Sequence, residues 1–205
     1  MLDHDPHYPN RQRYRASART LETIFQALSR FDVVPPANLG SNLTATDVFV
    51  GYIMLDALIG NTDRHHENWG FLRRRVDERY AYELAPSYDH ASSLGRELQE
   101  NARTQRLATR DRNRTPEAYA DRARSALYAS VDSPRPLSTF DAFALAARLQ
   151  PKAARHWVAR LDAVTPTQLL APIQRVPTTH MQDSARRFTA RLLTHNRKRL
   201  VSALD

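Results

Sequence analysis

An apolar run, Val48 to Ile59, is followed at once by Gly60 and by the polar loop Asn61-Thr62-Asp63-Arg64-His65-His66-Glu67-Asn68. Just before the run, Thr44-Ala45-Thr46-Asp47 offers an N-cap with an acid three residues on. That pattern predicts a helix over about 46–59. Its residues are apolar nearly all round, which places such a helix in the middle of a domain. Gly60 is the expected stop. A buried helix that delivers its end into a wholly polar loop is a rigid mount for a site. The run is too short to span a bilayer, and Asp56 interrupts it.

The elements around this helix follow from periodicity and punctuation. Residues 1–18 are polar and basic, and read as a flexible or severed linker before a domain over 19–205. Leu21, Ile24, Phe25 and Leu28 repeat at helical spacing, and Pro35-Pro36 ends that region. Beyond Asn68, Trp69–Leu72 and Tyr80–Leu84 read as two short strands, with Arg73–Arg79 as their turn and Pro86 as the stop. The remainder predicts helices over 94–108, 116–130, 138–149, 152–163, 166–173 and 181–203, with Pro151 and Pro166 at helix starts. Phe188, Leu192 and Leu200 mark the apolar face of the last helix. The fold class is mainly α (α+β): packed helices with one small β-hairpin.

Composition narrows the functional classes. The 205 residues suit one domain or one large lobe. Without cysteine there is neither a disulfide framework nor a thiolate metal site. With no basic start and no apolar leader at the N-terminus, the expectation is a soluble cytoplasmic protein. The formal charge of +8 comes almost wholly from arginine, since Lys152 and Lys198 are the only lysines. Acidic residues are interleaved among the arginines, so direct nucleic-acid binding is not expected. The basic stretch Arg96–Arg124 reads first as a solvated face, with recruitment of an acidic substrate as the sharper alternative.

The polar loop carries the chemistry. An aspartate and an asparagine five apart, Asp63 and Asn68, suit two tasks. The aspartate can accept the proton of an attacking hydroxyl, and the asparagine carbonyl oxygen can bind Mg²⁺, a hard ion that prefers oxygen. A hairpin after Asn68 folds the chain back, so that Asp89, in Pro86-Ser87-Tyr88-Asp89-His90-Ala91-Ser92-Ser93, can meet Asn68 around one ion. Base, metal-binding Asn, hairpin and metal-binding Asp follow one another as in protein kinases, although neither H-R-D-x-x-x-x-N nor D-F-G is literal here.

Leu58-Ile59-Gly60, Asp63-Arg64-His65-His66-Glu67-Asn68 and the Pro86–Ser93 segment together resemble the HipA-like serine/threonine kinases of bacterial toxin–antitoxin systems, in their C-terminal domain, from about residue 45 onward. The resemblance implies ATP/Mg²⁺-dependent phosphoryl transfer to Ser/Thr of a protein. Asp63 would be the catalytic base, and Asn68 and Asp89 would be the Mg²⁺ and cofactor ligands. His65, the family's loop histidine, joins the catalytic set, chiefly as a structural member. It also implies a protein substrate, and an antitoxin or N-lobe partner chain.

The chain departs from the family before the loop. Residues 1–60 contain no lysine and no glycine-rich phosphate loop, so the N-lobe is expected to be absent and to come from a missing segment or partner. One alternative is therefore a non-catalytic pseudokinase or binding module of a toxin–antitoxin system. Another is a metal-dependent phosphohydrolase built on His65, His66 and His90 beside Asp63 and Asp89, although no H-E-x-x-H spacing supports it.

Overall fold

The computed structural model describes residues 18–39 and 42–204. The linker expected over 1–18 therefore lies, except for Ala18, outside the described residues. The helices are α1 (Leu21–Arg30), α2 (Ala45–Ile59), α3 (Glu100–Ala108), α4 (Pro116–Asp121), α5 (Thr139–Leu149), α6 (Pro151–Asp162), α7 (Pro166–Arg175) and α8 (Asp183–Val201). An antiparallel hairpin, β1 (Phe71–Val76) and β2 (Arg79–Leu84), stands between α2 and α3.

α2 is the axis of the domain, and its start is fixed by reciprocal bonds. Thr44 Oγ1 accepts the Asp47 amide at 3.1 Å, and Asp47 Oδ2 accepts the Thr44 amide at 2.8 Å. Val48, Phe49, Val50 and Ile53 are fully enclosed, and α5, α6 and α8 pack around them. The closest approach is at Gly51, where a Cβ would lie 2.5 Å from the Trp157 ring of α6. Trp157 is locked there by its indole N–H, which donates to the Asp47 carbonyl at 2.6 Å. At the other end Gly60 takes the left-handed conformation, φ 64°, as the expected stop requires. The carbonyl of Leu58, one of the helix-end groups left without an intrahelical partner, accepts from buried Asn196 of α8 at 3.1 Å.

The hairpin pairs Phe71 with Leu84 at its base and Val76 with Arg79 at its tip. Its strands are longer than the sequence pattern predicts: Arg73–Val76 continue β1, and the turn is only Asp77-Glu78, with Asp77 at φ 54°. Arg73 pairs with Tyr82 and stacks over the Tyr80 ring at 4.5 Å, which holds charged residues in an extended edge. Trp69 anchors the base against Phe49 of α2, with ring centroids 5.1 Å apart. Val34 extends the sheet edge by one residue, donating to the Tyr82 carbonyl and accepting from the Leu84 amide.

Two predicted helices are shorter than expected. The first begins at Glu100, not 94, because Leu94 and Gly95 both lie at positive φ, 57° and 68°. Leu94 instead donates to the Ile59 carbonyl, tying this turn to the end of α2. The second stops at Asp121, not 130. The backbone from Ala123 to Tyr128 is committed elsewhere: Ser125 donates to Leu137, Leu137 to Leu127, Thr139 to Ala123, and Tyr128 to Arg19. These long-range pairings override the local helical pattern. Pro151 and Pro166 do start helices, and Phe188, Leu192 and Leu200 are buried on one face of α8.

Among the described residues, no helix is long and apolar enough to cross a membrane.

Candidate active site

The loop after α2 is organised by a buried ion pair. Arg64 is 1% exposed and Asp56 4%, although both carry charge. Arg64 donates from Nε to Asp56 Oδ2 at 2.8 Å and from Nη2 to Asp56 Oδ1 at 2.7 Å, a two-point match between planar groups. Asn61 Nδ2 adds a bond to Asp56 Oδ1 at 2.8 Å. Asp56 thus interrupts the apolar helix in order to meet Arg64 and Asn61.

The rest of the guanidinium reaches across to the second motif. Arg64 Nη1 donates to the Asn68 carbonyl at 2.7 Å and to the Tyr88 carbonyl at 3.4 Å. Nη2 donates to Ser87 Oγ at 2.9 Å and lies 3.4 Å from His90 Nδ1. One side chain therefore fastens the α2 helix, the 61–68 loop and the 87–90 segment together. The Tyr88 hydroxyl adds a second tie, donating to the Glu67 carbonyl at 2.9 Å. Burial raises the Tyr88 hydroxyl above its ordinary pKa; Arg64 pulls it partly back down and Asp89 adds to the rise. Tyr88 therefore stays a neutral donor at neutral pH. Further along, the Thr62 amide donates to the Ser92 carbonyl at 3.1 Å, and Ser93 Oγ donates to the His90 carbonyl.

Within this frame Asp63 is held by its backbone and left open at its carboxylate. Its amide donates to Asn61 Oδ1 at 3.2 Å, and its carbonyl accepts from Asn68 Nδ2 at 2.7 Å. Its side chain is 26% exposed. Asp63 and Thr62 line a cavity of about 370 Å³ together with Arg19, Arg124, Tyr128 and Pro136. A carboxylate facing such a space can accept a proton from a hydroxyl placed in it.

His65 is buried beneath the loop. Its Nδ1 accepts the Glu67 amide at 3.1 Å, which assigns the proton of the neutral ring to Nε2. Nε2 lies 3.5 Å from Asp63 Oδ1. His65 therefore braces the loop through Glu67 and faces Asp63 from below.

Asn68 and Asp89 differ in environment. Asn68 is buried, and its Nδ2 is used on the Asp63 carbonyl, which leaves Oδ1 as an acceptor without a hydrogen bond among the described residues. An amide oxygen fits a hard cation such as Mg²⁺. Asp89 sits at φ 52°, a left-handed conformation uncommon outside glycine, between two residues that Arg64 contacts. Its carboxylate is exposed and makes no hydrogen bond or ion pair among the described residues. One oxygen from each residue is thus available, and the backbone around both is fixed by the same arginine. Among the described residues no three or more His, Asp or Glu side chains gather as metal ligands. His65 and His90 are engaged instead with Glu67, Asp63 and Arg64, which leaves the transition-metal phosphohydrolase reading without a donor set there.

The spacing of Asp63, Asn68 and Asp89 is readable in the sequence, whereas no motif there announces Arg64 and Asp56 as a pair. The available signal was a lone acid within an otherwise apolar helix, which demands a buried partner.

Residues 2–169 match the family model described as HipA-like C-terminal domain. Among curated proteins none matches the chain by sequence. Among solved structures, the chain is similar to the Helicobacter pylori proinflammatory kinase CtkA, with a TM-score of 0.68 at 19% identity. That alignment covers 92% of this chain and 62% of the kinase, so the chain spans less than two thirds of its neighbour's length. The match extends over most of the sequence and the fold agrees with it: the chain belongs to the HipA-like C-terminal domain family and has a kinase-like fold.

Proposed function

We propose that the chain is the catalytic lobe of a HipA-like kinase that transfers a phosphoryl group from ATP to a serine or threonine of a protein target. The observation that carries this reading is the reach of Arg64, which brings the 63–68 loop and the 87–90 segment into one site. Asp63, facing the 370 Å³ cavity, orients the acceptor hydroxyl and takes its proton. Asn68 Oδ1 and the Asp89 carboxylate would hold Mg²⁺, which when bound neutralises charge on the transferring phosphates. His65 keeps the loop in register beneath Asp63. The phosphate-gripping lysine and covering loop of a kinase would come from a segment or partner chain outside the described residues, since no lysine precedes Lys152. An antitoxin protein is a further partner that the family relationship suggests.

The test is transfer of labelled phosphate from Mg-ATP to candidate protein substrates, with and without a supplied N-lobe partner. Asp63→Ala and Asp89→Ala should each abolish transfer; activity that survives either change refutes the assignment. A second reading, a non-catalytic binding module, is favoured by the absence of lysine before the loop. Calorimetry with Mg-ATP separates the two: ATP binding by the completed protein supports the kinase, and partner binding without ATP affinity supports the module.

A further inference from the structure

A concavity whose lining includes none of Asp63, His65, Asn68 and Asp89 lies on the face built by α3 and α4. It has a volume of about 660 Å³ and is lined by Gln105, Arg106, Thr109, Arg114 and Arg122 among others. Three arginines lining one hollow repel one another unless something offsets them. Two are partly offset. Arg106 stacks over the Tyr119 ring at 5.3 Å, and its Nη1 donates to the Arg114 carbonyl at 3.4 Å. Arg114 Nε lies 3.6 Å from the Asp111 carboxylate, but both groups are largely exposed, so that pair is screened by water. Arg122 makes no ion pair with a carboxylate among the described residues. The hollow therefore holds more positive charge than its own acids balance.

The chemistry of the lining selects the ligand class. Guanidinium groups present planar pairs of N–H donors that match the oxygens of a phosphate. A phosphomonoester carries close to two negative charges at neutral pH and three acceptor oxygens, which answers several arginines at once where a carboxylate answers one. Gln105 and Thr109 add neutral polar groups to the same wall. The volume exceeds that of a bare phosphate and leaves room for whatever carries it.

We propose that the hollow lined by Arg106, Arg114 and Arg122 is a binding site for a phosphomonoester group. The site does not depend on phosphoryl transfer at Asp63 and would persist if that reading failed. Two sources share this chemistry, free inorganic phosphate and a phosphoserine within a polypeptide, and the experiment separates them.

The experiment is calorimetric titration of the full chain, at low and at high salt, with inorganic phosphate, a short phosphoserine peptide and its unphosphorylated form. Saturable binding of phosphate or the phosphopeptide is expected, weakening with salt. Arg122→Gln should weaken it about tenfold, the loss of one charge-assisted contact. Arg155→Gln, the same charge change on the exposed face of α6, should leave it unaltered. Equal affinity for phosphate and phosphopeptide identifies the free anion as ligand; a tighter phosphopeptide identifies the polypeptide source. Amide NMR shifts on the unaltered chain give a readout independent of any variant, and should centre on Gln105, Thr109 and Arg122. No saturable binding, equal binding of the unphosphorylated peptide, equal weakening by Arg155→Gln, or shifts centred elsewhere would each overturn the proposal.

Discussion

Both carboxylate oxygens of Asp56 are bound by Arg64, at 2.7 and 2.8 Å, inside a helix whose other central residues are apolar. Removing either partner would strand a charge in the core. Arg64→Ala or Asp56→Ala is expected to destabilise the fold by about 3–5 kcal/mol, measured by urea denaturation. Asp56→Leu combined with Arg64→Met should recover part of that stability but none of the contacts to Asn68, Ser87 and Tyr88. The double variant thus separates stability from site assembly.

Asp63 predicts the opposite pattern. Its carboxylate is partly exposed and its fixed bonds are all from the backbone. Asp63→Asn should change unfolding stability by no more than about 0.5 kcal/mol. On the proposed function, phosphoryl transfer by the chain completed with its N-lobe should fall by about 10²–10⁴, as removal of a positioned base does. Parallel denaturation and transfer assays check both halves.

Gly51 is constrained by space alone, since its backbone is ordinary helix. A methyl group would meet the Trp157 ring at 2.5 Å, and that ring is held by its bond to the Asp47 carbonyl. Gly51→Ala should therefore destabilise by about 1–3 kcal/mol, despite alanine's better helix propensity. A melting series with Trp157→Phe in the background should reduce the effect.

The α4–α8 contact carries an acid-sensitive clasp. Arg191 donates to Glu117 from Nε at 2.8 Å and from Nη2 at 2.6 Å. Burial pushes the Glu117 carboxyl up, but the hydrogen bond from Arg191, a backbone bond and the Thr115 hydroxyl outweigh it, so its pKa is lowered. A lowered carboxyl favours the folded state above its unfolded pKa and loses that contribution as pH falls through the folded value. Both partners are part-exposed, so the contribution is about 0.5–1 kcal/mol. Glu117→Gln should therefore cost that much at neutral pH and nothing in strong acid, as read by denaturation across pH.

Much of the site was legible because its parts follow local rules. Thr44 and Asp47 announced the start of α2, Gly60 its end, and the spacing of Asp63, Asn68 and Asp89 carried the kinase order. What remained hidden depends on contacts distant in sequence. Arg64 reads as one arginine among many until Asp56 and Ser87 are seen around it. Residues 122–130 look helical until Leu137, Thr139 and Arg19 are seen to engage the same backbone. The turn at Leu94-Gly95 was masked by the good helix formers that follow it, Arg96-Glu97-Leu98-Gln99, and the Leu94 amide answers to the Ile59 carbonyl across the fold.

Asn196 and its helix also bear on where this lobe can be divided. The family match ends at residue 169, yet α8 lies wholly beyond it. From there α8 supplies Leu193 and Leu200 to the main core and the amide that caps the last turn of α2. The stretch that relatives share in sequence is thus smaller than the unit that can stand as a solid body. A gene fusion or proteolytic cut placed at the homology border would leave the mount of Asp63 without its rear support, even with every motif residue intact.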